Sequence, residues 1–429
     1  MIYNTLFIKF IRVLLAFLAI AASVSSLLAP GNTGTAQSLA ENDARTNDYL
    51  IRFALGGSRA ERALVIVDLG GTLVTWLAQI DVASVRFPDA ATAQRAMTTI
   101  ARGQTVLWIE PDGVVWADTA IADVEFNDVQ HGYGQRLVQL EAAWNVTLGE
   151  SNIIVAVVDS GLDLNHPEFA GRIVAGVDFV NLDDDPTDDN GHGTHVTGIV
   201  AMAIDGVGSA GMCPSCSIMP LKVLDANNSG QFSSVAQAIL YATDHDASII
   251  NLSMGSNRHS ITIADAIAYA RDHAVIVVAS AGNGASSVPY YPAALDGVLA
   301  VVATDTHDER WPQSNFGSWV DMAAPGVSIY SAFVQDEAHT YRTMTGTSMA
   351  TPFVSGLVAL VLSVHPELTA DEVMNFILVH ADDLGEPGRD DIYGHGRINA
   401  ARTLGAGSSE ADLVDHKVFM PTIVIAIVD

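Results

Sequence analysis

Between residue 151 and about residue 405, short segments rich in β-branched residues alternate regularly with segments of helical pattern. This succession predicts an α/β fold with a doubly wound, mostly parallel sheet, because parallel neighbours need long crossovers, which cover both faces with helices. Reactive groups in such sheets collect at the carboxyl ends of the strands. The predicted strands are residues 153–158, 217–223, 248–252, 274–280 and 298–303.

A different pattern occupies residues 48–118, where the segments predict a small α+β domain in front of the larger one. No set of reactive side chains converges in this stretch, so its residues leave open a binding module or a folding aid. The predicted elements are a strand at 49–55, a short helix at 58–64, a strand with a turn at 71–87, an amphipathic helix at 90–102 and a hairpin at 105–116 through Pro111-Asp112-Gly113.

Both ends of the chain differ from the domains. Residues 1–29 carry Lys9 and Arg12 before an apolar run at 13–22, which predicts an export signal, with an uncleaved anchor as the alternative. Residues 30–47 are a polar linker and 119–150 a connector. Residues 406–429 join a Gly/Ser/acidic linker to an apolar patch too short to span a membrane, so we expect an extra strand or an unassigned tail.

The net charge is −29, from 49 acidic and 20 basic residues. A polyanionic partner such as nucleic acid or an anionic membrane surface would repel this chain. We therefore expect no nucleic acid partner and no stable membrane association once the signal is removed. Nothing in the sequence indicates oligomerisation, so we expect a monomer.

The chain has two cysteines, Cys213 and Cys216, in the motif Cys-Pro-Ser-Cys. One pair cannot supply a disulfide framework or a complete zinc site. In an exported protein we expect a small local disulfide, and two free thiols or a redox-active pair are the alternatives.

Three segments pair a reactive side chain with small, backbone-permissive neighbours. Asp159 ends a predicted buried strand and precedes Ser160-Gly161, although an acid in that place is often only structural. His192 lies between two glycines in Asn-Gly-His-Gly-Thr-His, where His195 could instead share a metal, but the third ligand and glutamate base of a zinc site are missing. Ser348 precedes a predicted apolar helix at 353–364, where free N–H groups favour negative charge; a plain N-cap serine is the alternative.

Together, the Asp-Ser-Gly, Asn-Gly-His-Gly-Thr-His and Gly-Thr-Ser-Met-Ala-Thr-Pro blocks resemble the signature blocks of the subtilisin-like serine proteases, over roughly residues 140–404. Their chain order is Asp, His, Ser. The α/β-hydrolase order is Ser, Asp, His, and the Gly-x-Ser-x-Gly elbow of lipases and esterases is absent around Ser348.

The resemblance implies a role for each matching residue. Asp159, His192 and Ser348 would form the catalytic triad, and Asn283, in Ala-Gly-Asn-Gly, would donate to the oxyanion beside the Ser348 N–H. The walls of the primary specificity pocket would be Ser253, Gly255 and Gly282. Because Gly282 and Gly284 would leave that pocket open, we expect a preference for apolar or aromatic side chains.

The same resemblance implies an inhibitory propeptide at 48–118, which would be removed by self-cleavage between Trp116 and Tyr133, and a catalytic domain at 151–405. It also implies calcium. One candidate site is the acidic loop, for which a solvated loop is the alternative; its residues are Asp178, Asp183, Asp185 and Thr187. The second candidate site pairs Glu168 with Asp205.

The expected protein is thus a secreted serine endopeptidase that acts on protein or peptide substrates and is inhibited by its own propeptide. The alternative is a catalytically silent binding protein of the same fold. It predicts the loss of at least one of the four residues Asp159, His192, Asn283 and Ser348, and all four are present.

Overall fold

The computed structural model describes residues 47–54, 58–100, 106–117, 132–205, 208–334 and 340–406, with backbone alone for 99–100 and 114–117. The predicted export signal, the linker up to residue 46, residues 119–131 of the connector and the tail from residue 407 lie outside the described residues.

The described elements, numbered here along the chain, are strands and helices with two short 3-10 turns at Ala78–Ile80 and Pro167–Phe169. The strands are β1 Asp48–Phe53, β2 Thr72–Leu77, β3 Val82–Arg86, β4 Val106–Pro111, β5 Val114–Ala117, β6 Ile154–Asp159, β7 Val177–Asp178, β8 Ser217–Lys222, β9 Ser229–Gln231, β10 Ile249–Leu252, β11 Met254–Gly255, β12 Ile276–Ser280, β13 Val298–Thr304, β14 Met322–Pro325, β15 Ile329–Ala332 and β16 Tyr341–Met344. The helices are α1 Arg59–Asp68, α2 Ala90–Ile100, α3 Tyr133–Leu137, α4 Leu140–Ala143, α5 His192–Ala201, α6 Phe232–Asp244, α7 Ile261–Asp272, α8 Thr347–Val364, α9 Ala370–Val379 and α10 Ala400–Thr403.

The larger domain is built on a seven-stranded parallel sheet in the order β14-β13-β12-β10-β6-β8-β7. Alternate residues of the central strand β6 enter two separate apolar cores. Val155 and Val157 join the core that contains residues of α5 and α8, while Ala156 and Val158 join the core formed with α6 and α7. Helices therefore cover both faces, and the predicted doubly wound α/β fold is confirmed.

The five predicted strands correspond to β6, β8, β10, β12 and β13, with ends shifted by one or two residues. The sheet also contains β7 and β14 at its two edges, which the sequence pattern did not predict. Their lengths of two and four residues are too short to show a periodicity.

Helix α8 begins six residues before the predicted start, and Pro352 lies inside it. A proline normally indicates a helix boundary, since it lacks an N–H to donate. By length and composition α8 could cross a membrane, but 83% of its apolar window is buried inside the protein. It is the core helix of the larger domain.

The N-terminal domain is a four-stranded sheet in the order β2-β3-β1-β4, with α1 and α2 on one face. Ser58 and Glu61 form a capping box at the start of α1, and this helix continues four residues beyond its predicted end. The other face of the sheet packs on the larger domain, because Leu50 and Val82 belong to the same core as α6 and α7.

The predicted hairpin at residues 105–116 is wrong. Strand β4 pairs with β1, whereas β5 leaves the domain and pairs antiparallel with β9 and β11 of the larger domain. The turn between them is held by α6, since the Gly113 carbonyl oxygen accepts the Phe232 N–H at 2.8 Å. A side chain at Gly113 would come within 2.3 Å of the Phe232 ring, so the contact requires glycine.

Two carboxylates of the N-terminal domain cap helices of the larger one. Glu110 accepts the N–H groups of Ile261 and Thr262 at 3.0 and 2.9 Å, at the start of α7. Asp112 accepts the Ser233 N–H at 3.0 Å, at the start of α6, and burial raises the pKa of Asp112 to about 6. Helix N-termini favour anions, so these contacts stabilise the docking of the two domains.

We expect Glu110→Ala to weaken this docking, because two N–H groups of α7 lose their acceptor. The cost of a lost helix cap is about 1–2 kcal/mol, which corresponds to about 5- to 30-fold faster opening. Amide hydrogen exchange of residues 106–117 measures this opening. The Ser348→Ala background is used because it should prevent self-cleavage, which keeps both domains in one chain. Glu386→Ala, an exposed residue of the larger domain, is the matched control. Equal exchange in Glu110→Ala and the control would contradict the assignment.

Candidate active site

The strand order brings the predicted site residues to one edge of the sheet. Strands β12, β10 and β6 are neighbours, and their carboxyl ends lead to Asn283, Ser253 and Asp159. His192 is the first residue of α5 and Ser348 the second of α8, and these helices pack against each other. The structure thus gathers all four predicted catalytic residues, which come from four separate stretches of the chain.

Asp159 and His192 form a fully buried hydrogen-bonded pair. Nδ1 of His192 lies 2.6 Å from Oδ1 of Asp159, and both side chains are 0% exposed. The same carboxylate oxygen accepts the Ser160 N–H at 2.7 Å. Because a carboxylate only accepts, the hydrogen of the ring is assigned to Nδ1, which leaves Nε2 as the basic nitrogen.

A second acid, Asp188, ties the loops of this pair together, and the sequence reasoning missed it. Its carboxylate accepts the Gly191 N–H at 2.8 Å, the Thr194 N–H at 2.9 Å and the Ser160 hydroxyl at 2.8 Å. The Ser160 hydroxyl oxygen in turn accepts the Gly193 N–H at 2.9 Å. The backbone on both sides of His192 is therefore fixed to the segment that follows Asp159.

His195 does not share a metal with His192. Its Nε2 donates to the carbonyl oxygens of Ile329 and Arg342, each at 3.0 Å. Burial, reinforced by the neighbouring His192, lowers the pKa of His195 to about 3, so the ring is neutral. His195 anchors α5 to the β15–β16 hairpin.

Ser348 is held by a reciprocal pair of hydrogen bonds with Ser253. The Ser253 hydroxyl donates to the Ser348 carbonyl oxygen, and the Ser348 hydroxyl donates to the Ser253 carbonyl oxygen, each at 3.0 Å. Pro352, four residues along α8, explains why the helix itself supplies no regular donor to the acceptor of the first bond. In a regular helix the N–H of that residue would bond the Ser348 carbonyl, but proline has none, so this acceptor is open to Ser253.

The Ser253 hydroxyl is itself oriented by two buried polar residues. Asn251 donates to it from Nδ2 at 2.9 Å, and Ser355 donates to Oδ1 of Asn251 at 2.8 Å. All three side chains are buried. This chain of hydrogen bonds links the end of β10 to the third turn of α8.

Asn283 presents an unused donor. Its Oδ1 accepts the N–H and hydroxyl of Thr347 at 3.1 and 2.9 Å, which fixes the orientation of the carboxamide. Its Nδ2 is buried and has no hydrogen-bond partner among the described residues. A buried amide without an acceptor is costly, so such a group in a native fold calls for an explanation, and an anionic ligand atom supplies one.

The loop that carries Asn283 is braced by Asn315, which the sequence reasoning missed. Oδ1 of Asn315 accepts the N–H groups of Gly284 and Ser286 at 2.9 and 3.0 Å, and Nδ2 donates to the Ala281 carbonyl oxygen at 2.8 Å. Thr347 belongs to the quoted Gly-Thr-Ser block, but Asn315 lies outside every block, so no sequence pattern indicates it.

Two of the predicted pocket residues lie beside Ser348: Ser253 is hydrogen-bonded to it, and the Gly282 N–H donates to the hydroxyl of the preceding Thr347 at 3.1 Å. Gly255 lies in β11, which pairs with β5, and β5 pairs on its other side with β9. Gly282 has a φ of +92°, and a Cβ there would come within 2.6 Å of Asn315. A glycine is therefore required at position 282 by both conformation and space.

In the acidic loop, the predicted calcium ligands accept hydrogen bonds from the loop itself. Asp178 is buried, and its carboxylate accepts the Val180 and Asn181 N–H groups at 2.6 and 2.8 Å. Asp183 accepts the Asp185 N–H at 3.0 Å, and Asp185 accepts the Thr187 hydroxyl at 2.5 Å. The described part of the chain has no group of three or more His, Cys, Asp or Glu side chains that could hold a metal.

Glu168, a residue of the second candidate site, also accepts hydrogen bonds from neighbouring groups. Its two carboxylate oxygens accept the Tyr341 hydroxyl at 2.7 Å and the Ala203 N–H at 2.9 Å. Burial raises the pKa of Glu168, with the nearby charge of Asp205 as a smaller contribution.

The predicted disulfide between Cys213 and Cys216 is present and buried. The described residues therefore offer no reduced thiol as an alternative nucleophile.

The profile of the subtilase family, Peptidase S8, matches residues 150–396, which is more than half of the chain. The chain belongs to the subtilase family. A thermophilic serine proteinase of Bacillus sp. (strain AK1) is 34% identical over 389 residues, which are 90% of this chain and 94% of that protein. Thermitase of Thermoactinomyces vulgaris is 39% identical over 63% of this chain and 95% of its own length.

Among solved structures, that of fervidolysin from Fervidobacterium pennivorans, a keratinolytic enzyme related to subtilisin, is similar, with a TM-score of 0.72 and 29% identity. The match covers 84% of this subtilase and 61% of the fervidolysin chain. Together with its proteinase relatives, the family assignment makes this chain a serine-type endopeptidase.

We expect Asn283→Ala to lower kcat by about 100- to 1,000-fold with little change in KM, because the lost donor would act on the transition state. Steady-state hydrolysis of a chromogenic peptide measures kcat and KM. Asn145→Ala, an exposed asparagine outside the residues of the site, is the matched control. A kcat for Asn283→Ala within threefold of the control would rule out this role.

Proposed function

We propose that this subtilase cleaves peptide bonds through an acyl-enzyme on Ser348, with His192 as general base and Asp159 as its orienting acid. The observation that carries the proposal is the buried 2.6 Å bond between Asp159 and His192 Nδ1, which leaves Nε2 as the base of the pair. A carboxylate in that position also stabilises the imidazolium that forms when the ring takes a proton.

The chemistry proceeds in two halves. The Ser348 hydroxyl turns from the Ser253 carbonyl oxygen towards His192, loses its proton to the ring and attacks the scissile carbonyl carbon. The imidazolium then protonates the leaving amine, and the C–N bond breaks. Water, deprotonated by the same ring, attacks the acyl-enzyme and releases the acid product, which returns Ser348 to its starting state.

The oxyanion of each tetrahedral intermediate would be bound by Nδ2 of Asn283 and by the backbone N–H of Ser348 at the start of α8. The unused buried Nδ2 and its fixed carboxamide support this role, because a preoriented donor needs no reorganisation during the reaction.

The N-terminal domain would act as the inhibitory propeptide. Its last described strand, β5, lies between β9 and β11 and pairs antiparallel with both, as an extended peptide substrate would. Gly255 pairs with Trp116 and Met254 with Ala117, so β5 runs along the predicted substrate groove. Self-cleavage between Trp116 and Tyr133 would separate the domain from the enzyme.

Secretion is part of the proposal. The sequence of residues 1–29 supports export, and the buried disulfide is suited to an oxidising compartment. The charge of −29 supports a soluble enzyme that acts on protein and peptide substrates without nucleic acid.

Calcium at either acidic cluster stays a prediction from the sequence. The carboxylate oxygens of Asp178 and Glu168 that accept hydrogen bonds keep further lone pairs with which they would bind the ion.

Expression of the wild type beside Ser348→Ala tests the function. We expect only the wild type to lose about the first 115 to 130 residues and to digest casein, because both reactions need the Ser348 hydroxyl. Intact mass and gel electrophoresis follow the two reactions. Thr351→Ala is a matched control, since this hydroxyl of α8 donates to the Thr347 carbonyl oxygen.

If wild type and Ser348→Ala behave alike and casein is left intact, the triad assignment fails. A binding protein that keeps the subtilase fold would then be the better description.

A further inference from the structure

Tyr290 occupies the space between the two glycines of the predicted specificity pocket. A Cβ at Gly255 would come within 2.4 Å of the Tyr290 Cε1 atom, and one at Gly282 within 2.8 Å of Cδ1. The same ring edge therefore lies against both glycines, of which Gly255 belongs to β11 and Gly282 follows β12. The ring contacts both walls. It therefore fills the space that the glycines, which have no side chains, leave between them.

The backbone holds Tyr290 in this position. Its carbonyl oxygen accepts the Ala294 N–H at 2.8 Å. The next residue, Tyr291, exchanges two backbone hydrogen bonds of 2.8 Å with Ser256, which directly follows Gly255. The segment that carries the ring is thus bonded to the strand end that forms one wall.

We propose that Tyr290 fills the depth of the primary specificity pocket, so that this subtilase cleaves after small residues such as alanine and excludes aromatic ones. This inference rests on the proposed function, because it assigns the substrate class of that same site. The sequence predicts an open pocket from Gly282 and Gly284 alone. The Tyr290 ring leads us to infer a shallow pocket instead.

The physical reason is steric. A substrate side chain that enters between Gly255 and Gly282 meets the Tyr290 ring there, and a phenylalanine would have to displace that ring. Hydrophobic pockets discriminate by size at about 10- to 200-fold per methylene-scale misfit. The sequence after β5, Ala117-Asp-Thr-Ala-Ile-Ala122, offers small side chains near the predicted maturation interval.

Hydrolysis of a pair of succinyl-Ala-Ala-Pro-Xaa-p-nitroanilides, with alanine or phenylalanine as Xaa, tests the inference on the mature enzyme. We expect the wild type to show a kcat/KM at least about tenfold higher for alanine than for phenylalanine. Tyr290→Gly should raise kcat/KM for phenylalanine by about 10- to 100-fold and leave the alanine substrate within about threefold. Tyr290→Phe, which keeps the ring, is the matched control and should retain the wild-type preference.

A wild type that prefers phenylalanine would overturn the inference even if Tyr290→Gly failed to fold. It would also be overturned if folded Tyr290→Gly kept the selectivity of Tyr290→Phe. In both cases digestion of casein would show that the proposed protease function stands. If the wild type did not digest casein, the proposed protease function would be wrong. The substrate class inferred for that function would then be wrong as well.

Discussion

The active site depends on one joint, at which the end of strand β10 meets the start of helix α8. Ser253 and Ser348 exchange two hydrogen bonds there, and one of them supplies the Ser348 carbonyl oxygen with the donor that Pro352 lacks. A residue that ordinarily breaks helices thus attaches this helix to the sheet. The apolar remainder of α8 is buried against the strands, so the position of Ser348 is determined by the core as well as by the joint.

The parallel sheet supplies the rest of the geometry. Adjacent strands end at one edge, and each contributes a different group there: the acid from β6, the serine carbonyl from β10 and the amide from the loop after β12. Polar side chains that touch no substrate hold these groups in place. Asp188 braces the histidine loop, Asn315 the amide loop and Asn251 the serine joint.

The sequence predicts the central strands well, and it selects residues that the structure brings to one edge of the sheet, because both leave local patterns. Buried parallel strands are short β-branched runs, and Asp159, His192 and Ser348 lie in blocks of small residues. It fails where a contact joins distant segments. The hairpin at 105–116 was predicted from a turn motif, but Asp112 and Gly113 bond helix α6 instead of closing a turn. Asn315 bonds the loop that carries Asn283, and Tyr290 contacts Gly255, so neither contact leaves a local pattern.

Reaction of the mature enzyme with a fluorophosphonate tests the central claim, that the Asp159–His192 pair activates Ser348. The serine oxygen would bond phosphorus as fluoride leaves, and peptide mass mapping would locate the label. The account predicts a single label on Ser348, with a rate that falls by several orders of magnitude in His192→Ala. Labelling of His192→Ala at the wild-type rate, or a label on another residue, would contradict it.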